Sequence, residues 1–81
     1  MYFVYILECA DGSLYAGSTN DIKKRLKQHN GAKAGAHYTK IRRPVVLKYV
    51  ERFRTLAKAR AREGELKRLT RAQKLDLIQD S

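Results

Sequence analysis

The apolar positions along the chain fall into short blocks with two different periods. Tyr2-Phe3-Val4-Tyr5-Ile6-Leu7 is an unbroken run of aromatic, β-branched and aliphatic residues, which reads as a strand covered on both faces. Asp11-Gly12 is a turn signal, and Leu14-Tyr15-Ala16-Gly17 returns as a second, antiparallel strand. Val45-Val46-Leu47-Lys48-Tyr49-Val50 is a third strand, behind Pro44. The remaining blocks have a helical period. Thr19, Asn20 and Asp21 offer N-caps for a helix running to about His29, and Gly31 stands where a helix C-terminus takes a left-handed residue. Thr55 caps a second helix from about Leu56 to Leu69, and Thr70-Arg71-Ala72-Gln73 has the capping-box spacing of a short last helix through Ile78. The order β-β-α-β-α-α predicts an α+β fold, a small three-stranded sheet, mixed or antiparallel, flanked by helices. The 81 residues suffice for a single domain spanning 1–81.

Polar residues on faces expected to be buried carry the chemical signal. In the first helix, Ile22, Leu26 and His29 fall within about 60° of one another, Arg25 lies at their edge, and Lys23, Lys24 and Lys27 point to solvent. Arg25 and His29 are four apart and stack on one side. Either they are a snorkelling arginine and a satisfied helix-end histidine, or they flank a site. In the second helix Glu63 falls within the stripe of Leu56, Ala59 and Leu66, while Glu65 points away. A carboxylate there calls for a partner: an arginine such as Arg25, or a metal ion. A lone carboxylate with waters and phosphate oxygens suits Mg²⁺. The hairpin adds Tyr5 and Tyr15, whose relation depends on register. A two-residue turn at Asp11-Gly12 pairs Glu8 with Tyr15 and puts the phenols on opposite faces. A three-residue loop with a bulge pairs Leu7 with Tyr15 and brings both phenols to one face, and this is the register expected here.

Charge narrows the partners. Eighteen Lys and Arg against eight Asp and Glu give a formal net charge of +10, which points to a polyanion, with nucleic acid ahead of an anionic membrane surface. The alternative is a generically basic or ribosome-associated protein. No stretch is apolar enough to span or anchor in a bilayer, so no membrane partner is expected. Cys9 is the only cysteine, which rules out an internal disulfide, and Cys9, His29 and His37 are too few for a zinc cluster. The apolar start is too short for a signal peptide and lacks a basic leader, so a cytoplasmic location is expected.

Val4-Tyr5-Ile6, followed ten residues later by Tyr15-Ala16-Gly17, resembles the paired motif of the GIY-YIG nuclease superfamily. Arg25-Leu26-Lys27-Gln28-His29-Asn30 is similar to the family's first-helix motif. Ala59-Arg60-Ala61-Arg62-Glu63 with Leu66-Lys67 is similar to its metal-binding helix, and the tail through Arg71 and Lys74 to that of small, stand-alone bacterial members. The resemblance implies a metal-dependent endonuclease acting on DNA, RNA not being excluded. Tyr5 takes a proton from the attacking water, Tyr15 orients water and phosphate, Arg25 steadies phosphate charge, His29 activates the tyrosine, and Glu63 holds a single Mg²⁺, or Mn²⁺ in its place. Gly17 lets backbone approach the site. The alternative is a nucleic-acid-binding module that keeps this fold with little activity. Two positions depart from the pattern: Val4 replaces a glycine, and Ser18 stands where some members carry a lysine.

Such chemistry needs a positioned water, a base and charge stabilisation. A metal on Glu63 neutralises developing charge and Arg25 forks to phosphate oxygens. The expected grip on substrate is basic: Lys33, Lys40, Arg42, Arg43, Lys58 and Arg62, with Arg52 and Arg54 nearby, all sequence-blind phosphate contacts. Sequence specificity would then need a protein partner or an added domain.

Overall fold

The computed structural model describes residues 1–30 and 44–80. The strands are β1 (Tyr2–Cys9), β2 (Leu14–Thr19) and β3 (Val45–Phe53), and the helices α1 (Ile22–Asn30), α2 (Leu56–Arg68) and α3 (Arg71–Asp80). The sheet is antiparallel throughout, in the order β2-β1-β3. β1 is therefore the central strand, which is why its sequence is apolar on both faces: Val4, Tyr5, Ile6, Leu7 and Cys9 are all buried.

The β1–β2 hairpin closes in the odd-numbered way. Gly12 N–H donates to Cys9 O at 2.9 Å, Cys9 N–H donates to Ser13 O at 2.9 Å, and Gly12 sits at φ +85°. This is a turn followed by a left-handed residue, a conformation glycine adopts without a Cβ penalty. The Asp11 carboxylate steadies it by accepting from Ser13 N–H at 3.0 Å and Ser13 Oγ at 2.6 Å. The resulting register pairs Leu7 with Tyr15 and Tyr5 with Gly17.

Two layers cover the sheet. On one face Val4, Ile6, Leu14 and Ala16 meet Ala59 and Leu66 of α2, with Leu75, Leu77 and Ile78 of α3 closing the rim. On the other, Tyr5, Leu7, Cys9 and Val45 meet Ile22 and Leu26 of α1. Each fully buried aliphatic side chain contributes about 1.5–3 kcal/mol. β3 serves both layers because it carries a bulge. Ile6 pairs with Tyr49 but Leu7 with Leu47, so Lys48 is the extra residue. Val45 and Leu47 thereby join the α1 layer, while Tyr49 and Phe53 join the α2 layer.

The caps follow their residue types. Asp21 Oδ1 accepts from Lys24 N–H at 3.0 Å at the start of α1, and Thr55 Oγ1 from Lys58 N–H at 3.2 Å at the start of α2. Thr70 and Gln73 form a reciprocal capping box on α3. The Arg71 guanidinium donates to Gly12 O at 3.0 Å and ties α3 to the hairpin turn. Arg62 of α2 grips the Glu51 carboxylate of β3 at 3.0–3.2 Å, and Glu51 also accepts from the Tyr49 hydroxyl. β3 thus runs three residues past the expected Val50, because Glu51 and Phe53 face α2 and α3 rather than solvent. No described helix is long and apolar enough to cross a membrane.

Candidate active site

The hairpin register sets the first half of the site. Tyr5 and Tyr15 project from the same face of the sheet, on adjacent strands, with Gly17 directly across from Tyr5. A Cβ at position 17 would lie 2.5 Å from Tyr5 Oη, 2.8 Å from Tyr5 Cζ and 3.2 Å from Tyr15 Cε2. The two phenol rings occupy the space that any other side chain at 17 would fill.

α1 lies over this face and delivers Arg25 and His29 from successive turns. His29 Nε2 is 3.0 Å from Tyr5 Oη, and Arg25 Nε donates to the same oxygen at 3.4 Å. The His29 ring meets both phenol rings edge-on, at 5.9 Å and 71° from Tyr5 and 5.2 Å and 61° from Tyr15. Burial is high: His29 is 0% exposed and Tyr5 2%. Among the described residues the Tyr5 oxygen has no other polar partner. Arg25 can only donate to that oxygen, whereas His29 Nε2 accepts the phenol proton in one imidazole tautomer and donates to the phenol oxygen in the other.

Glu63 arrives from the other layer. Its Oε1 accepts from Ser18 Oγ at 2.5 Å, and its Oε2 from Lys67 Nζ at 2.9 Å. Ser18 follows Gly17 on β2, the edge strand, so the carboxylate and the phenols meet around that strand. The Lys67 ammonium also stands 5.9 Å from the Tyr15 ring centroid. Beside Ser18 and Arg25 an open groove of about 210 Å³ runs along Thr19, Asn20, Asp21, Lys24 and Gln28.

The electrostatics are mutually dependent. Burial pushes the Tyr5 phenol above its usual range; the Arg25 hydrogen bond and charge pull it down, and Tyr15 and Glu63 push it up. Burial, helped by the charge of Arg25, lowers His29 to about 4, so its imidazole is neutral near pH 7. Burial raises Glu63, but the Ser18 and Lys67 hydrogen bonds outweigh it and hold the carboxyl below its ordinary value. Lys67 is raised in turn, chiefly by its hydrogen bond to Glu63.

The structure therefore brings together Tyr5, Tyr15, Gly17, Arg25, His29 and Glu63. Glu63 takes its hydrogen bonds from Ser18 and Lys67 rather than from an arginine. Lys58 is exposed on α2. Arg62 is committed to Glu51 and Glu65, with 28% of its side chain exposed. Lys33, Lys40, Arg42, Arg43 and His37 lie outside the described residues. Two members of the site carry no signal of their own in the strand and helix patterns. Ser18 is a small polar residue at a strand end, and Lys67 stands out only through its i,i+4 spacing from Glu63.

The model of the GIY-YIG catalytic domain matches residues 1–76. The chain belongs to the GIY-YIG family. The GIY-YIG proteins are nucleases, and the matched segment contains all six clustered residues. A UPF0213 protein of Staphylococcus epidermidis is 53% identical over 79 residues, covering 98% of this chain and 95% of that one. A UPF0213 protein of Syntrophus aciditrophicus is 49% identical over 79 residues, with 98% and 91% coverage. Two solution structures share the fold. The UPF0213 protein of Bacillus halodurans gives a TM-score of 0.61 at 41% identity, covering 98% of this chain and 84% of that one. A protein of E. faecalis gives 0.66 at 40%, covering 98% and 83%. The UPF0213 designation assigns no activity.

The donor set bears on whether a metal ion would fit beside Glu63. No group of three or more His, Cys, Asp or Glu converges among the described residues. Glu63 and the Ser18 hydroxyl offer hard oxygen donors and few of them. That suits Mg²⁺, which keeps most of its waters and is commonly held by one or two carboxylates plus phosphate.

Proposed function

We propose that this protein is a metal-dependent endonuclease that hydrolyses phosphodiesters of DNA, directed by substrate structure or non-specific. The observation that supports it is the Tyr5 oxygen, which receives Arg25 on one side and lies 3.0 Å from Nε2 of a neutral, buried His29 on the other; in the tautomer with Nε2 unprotonated the phenol proton is offered to His29. A remaining lone pair of that oxygen can accept a proton from water. As the water proton moves to Tyr5, the phenol proton moves to His29 Nε2; the hydroxide attacks phosphorus in line and the leaving oxygen departs opposite it. His29 ends the step as imidazolium and later releases the proton. The resting proton stays on Tyr5, because the phenol is held high and the imidazole near 4. Arg25 neutralises phosphate charge, and Tyr15 orients water and substrate. Glu63, with Ser18 beside it, would hold Mg²⁺ or Mn²⁺, which supplies positive charge that stabilises the developing anions. The +10 net charge supplies a salt-sensitive, sequence-blind grip on the backbone of DNA. Sequence specificity would then need a protein partner or an added domain.

A second reading keeps the fold as a nucleic-acid-binding module, and the small donor set around Glu63 favours it. Cleavage of branched, nicked and single-stranded DNA with and without Mg²⁺ decides between them, comparing wild type with Glu63→Gln. The nuclease reading expects Mg²⁺-dependent products from wild type and at least a hundredfold loss in the variant at unchanged DNA affinity. Binding by both proteins and cutting by neither would leave the module.

A further inference from the structure

Lys67 occupies one of the two carboxylate oxygens of Glu63, at 2.9 Å. The two carboxylate oxygens are held by different kinds of group. Oε1 is tied to Ser18 on β2, whereas Oε2 holds the ammonium of Lys67, one helical turn along α2. The Lys67 side chain is 51% exposed on a flexible four-carbon stem, while that of Glu63 is 21% exposed. The ammonium can therefore leave more easily than the carboxylate can turn. Ser18 holds the carboxylate in place when it does, since a hydroxyl can present a lone pair to an incoming ion without moving its oxygen.

We infer that Lys67 is the resident counter-ion of Glu63, and that a divalent cation binds there by displacing it. The inference rests on the reading of Glu63 as the cation-holding residue, not on cleavage. The tethered ammonium neutralises a part-buried carboxylate that otherwise has only the Ser18 hydroxyl and the charge of Arg60 to offset its burial. It also repels a divalent ion at the same oxygen, so the protein's apparent metal affinity is set by exchange. Weak binding follows, and occupancy becomes dependent on the substrate phosphate that arrives with the metal and supplies further oxygens.

The test is Mn²⁺ binding to the full chain without DNA, by titration calorimetry and by the Mn²⁺ paramagnetic resonance signal. Wild type is compared with Lys67→Met, Lys67→Arg, Glu63→Gln and Lys27→Met, the last removing an exposed charge on α1. Lys67→Met is expected to tighten binding about threefold to tenfold, Lys67→Arg to leave it near wild type, and Lys27→Met to change it less than twofold. Glu63→Gln is expected to abolish the site. Circular dichroism checks that each variant is folded, and Lys67→Gln replaces Lys67→Met if the latter is not. Unchanged or weaker binding in the folded Lys67→Met variant, or in Lys67→Gln where that replaces it, with Glu63→Gln still abolishing binding, overturns the displacement and leaves the metal site standing. Equal binding in wild type and Glu63→Gln overturns the metal assignment itself.

Discussion

Burying His29 without its charge makes this fold sensitive to acid in a window that can be calculated. The folded pKa is about 4 and the unfolded value 6.5. The depressed folded value means that the unfolded chain binds the extra proton between those limits. Stability contributed by neutral His29 is complete above about pH 6.5, falls as pH drops, and is fully lost below about pH 4. Each unit crossed costs about 1.4 kcal/mol, so lowering the pH from 7.5 to 5.0 removes about 2 kcal/mol through this one group. The cost is large for a domain whose whole stability is on the order of 5–10 kcal/mol. The assay is urea unfolding at both pH values for wild type and His29→Gln. Everything else that titrates, including His37, is common to the two proteins and cancels. Wild type should lose about 2 kcal/mol more than the variant, a midpoint drop of about 1–2 M urea at the slope typical of small domains. Ring resonances of His29 should stay flat above pH 5. Equal losses in the two proteins, or a His29 titration near 6.5, would show the imidazole hydrated or charged, and the Tyr5-to-His29 proton path would go with it.

The other predictions concern neighbours. Gly17→Ala puts a methyl against the Tyr5 phenol, a ring fixed by burial and by two hydrogen bonds. It should lower stability by about 1–3 kcal/mol, read in urea, and cut cleavage at least tenfold at unchanged DNA affinity, because the phenol oxygen must shift. Wild-type stability and activity in the Gly17→Ala variant would mean that the rings do not fill that space. Arg62→Met leaves the Glu51 carboxylate half-covered and short of its main partner, and should destabilise by about 1–2 kcal/mol in thermal melts. The salt slope of DNA binding should not change. A slope reduced by about one, at constant Tm, would instead make Arg62 a phosphate contact.

Much of this is legible in the residues. Strand and helix blocks, the caps at Asp21, Thr55 and Thr70, and the register that brings the phenols together all follow from turn chemistry and period. The i,i+4 pair Arg25 and His29 falls on the packing face of α1 for the same reason. Partners across space are less legible. Glu51 reads as a polar residue after an apolar run, so neither the extra length of β3 nor the Arg62 grip on it can be seen. The bulge at Lys48 is hidden as well, because the odd positions of β3 stay apolar or paired throughout while they change layer midway. Glu63 stands out in the helical period as a carboxylate in need of company. Its partners do not, because one is a hydroxyl on a strand from the opposite end of the chain, and the other a lysine indistinguishable from the protein's many surface cations. Leu56, expected on the same buried stripe, is 40% exposed, since the stripe begins one turn later at Ala59.

The left-handed Gly12 has a consequence for how errors in this protein would look. A hairpin closed one residue out of step would still make a three-stranded sheet, bury leucines and valines, and melt cooperatively. It would also send the second tyrosine to the side of the sheet where no histidine waits. Far-ultraviolet spectra would be blind to that defect, while the loss of Leu14 and Ala16 from the α2 layer would lower the melting temperature without saying why. The distance between two aromatic rings would tell a correctly made molecule from its misregistered twin.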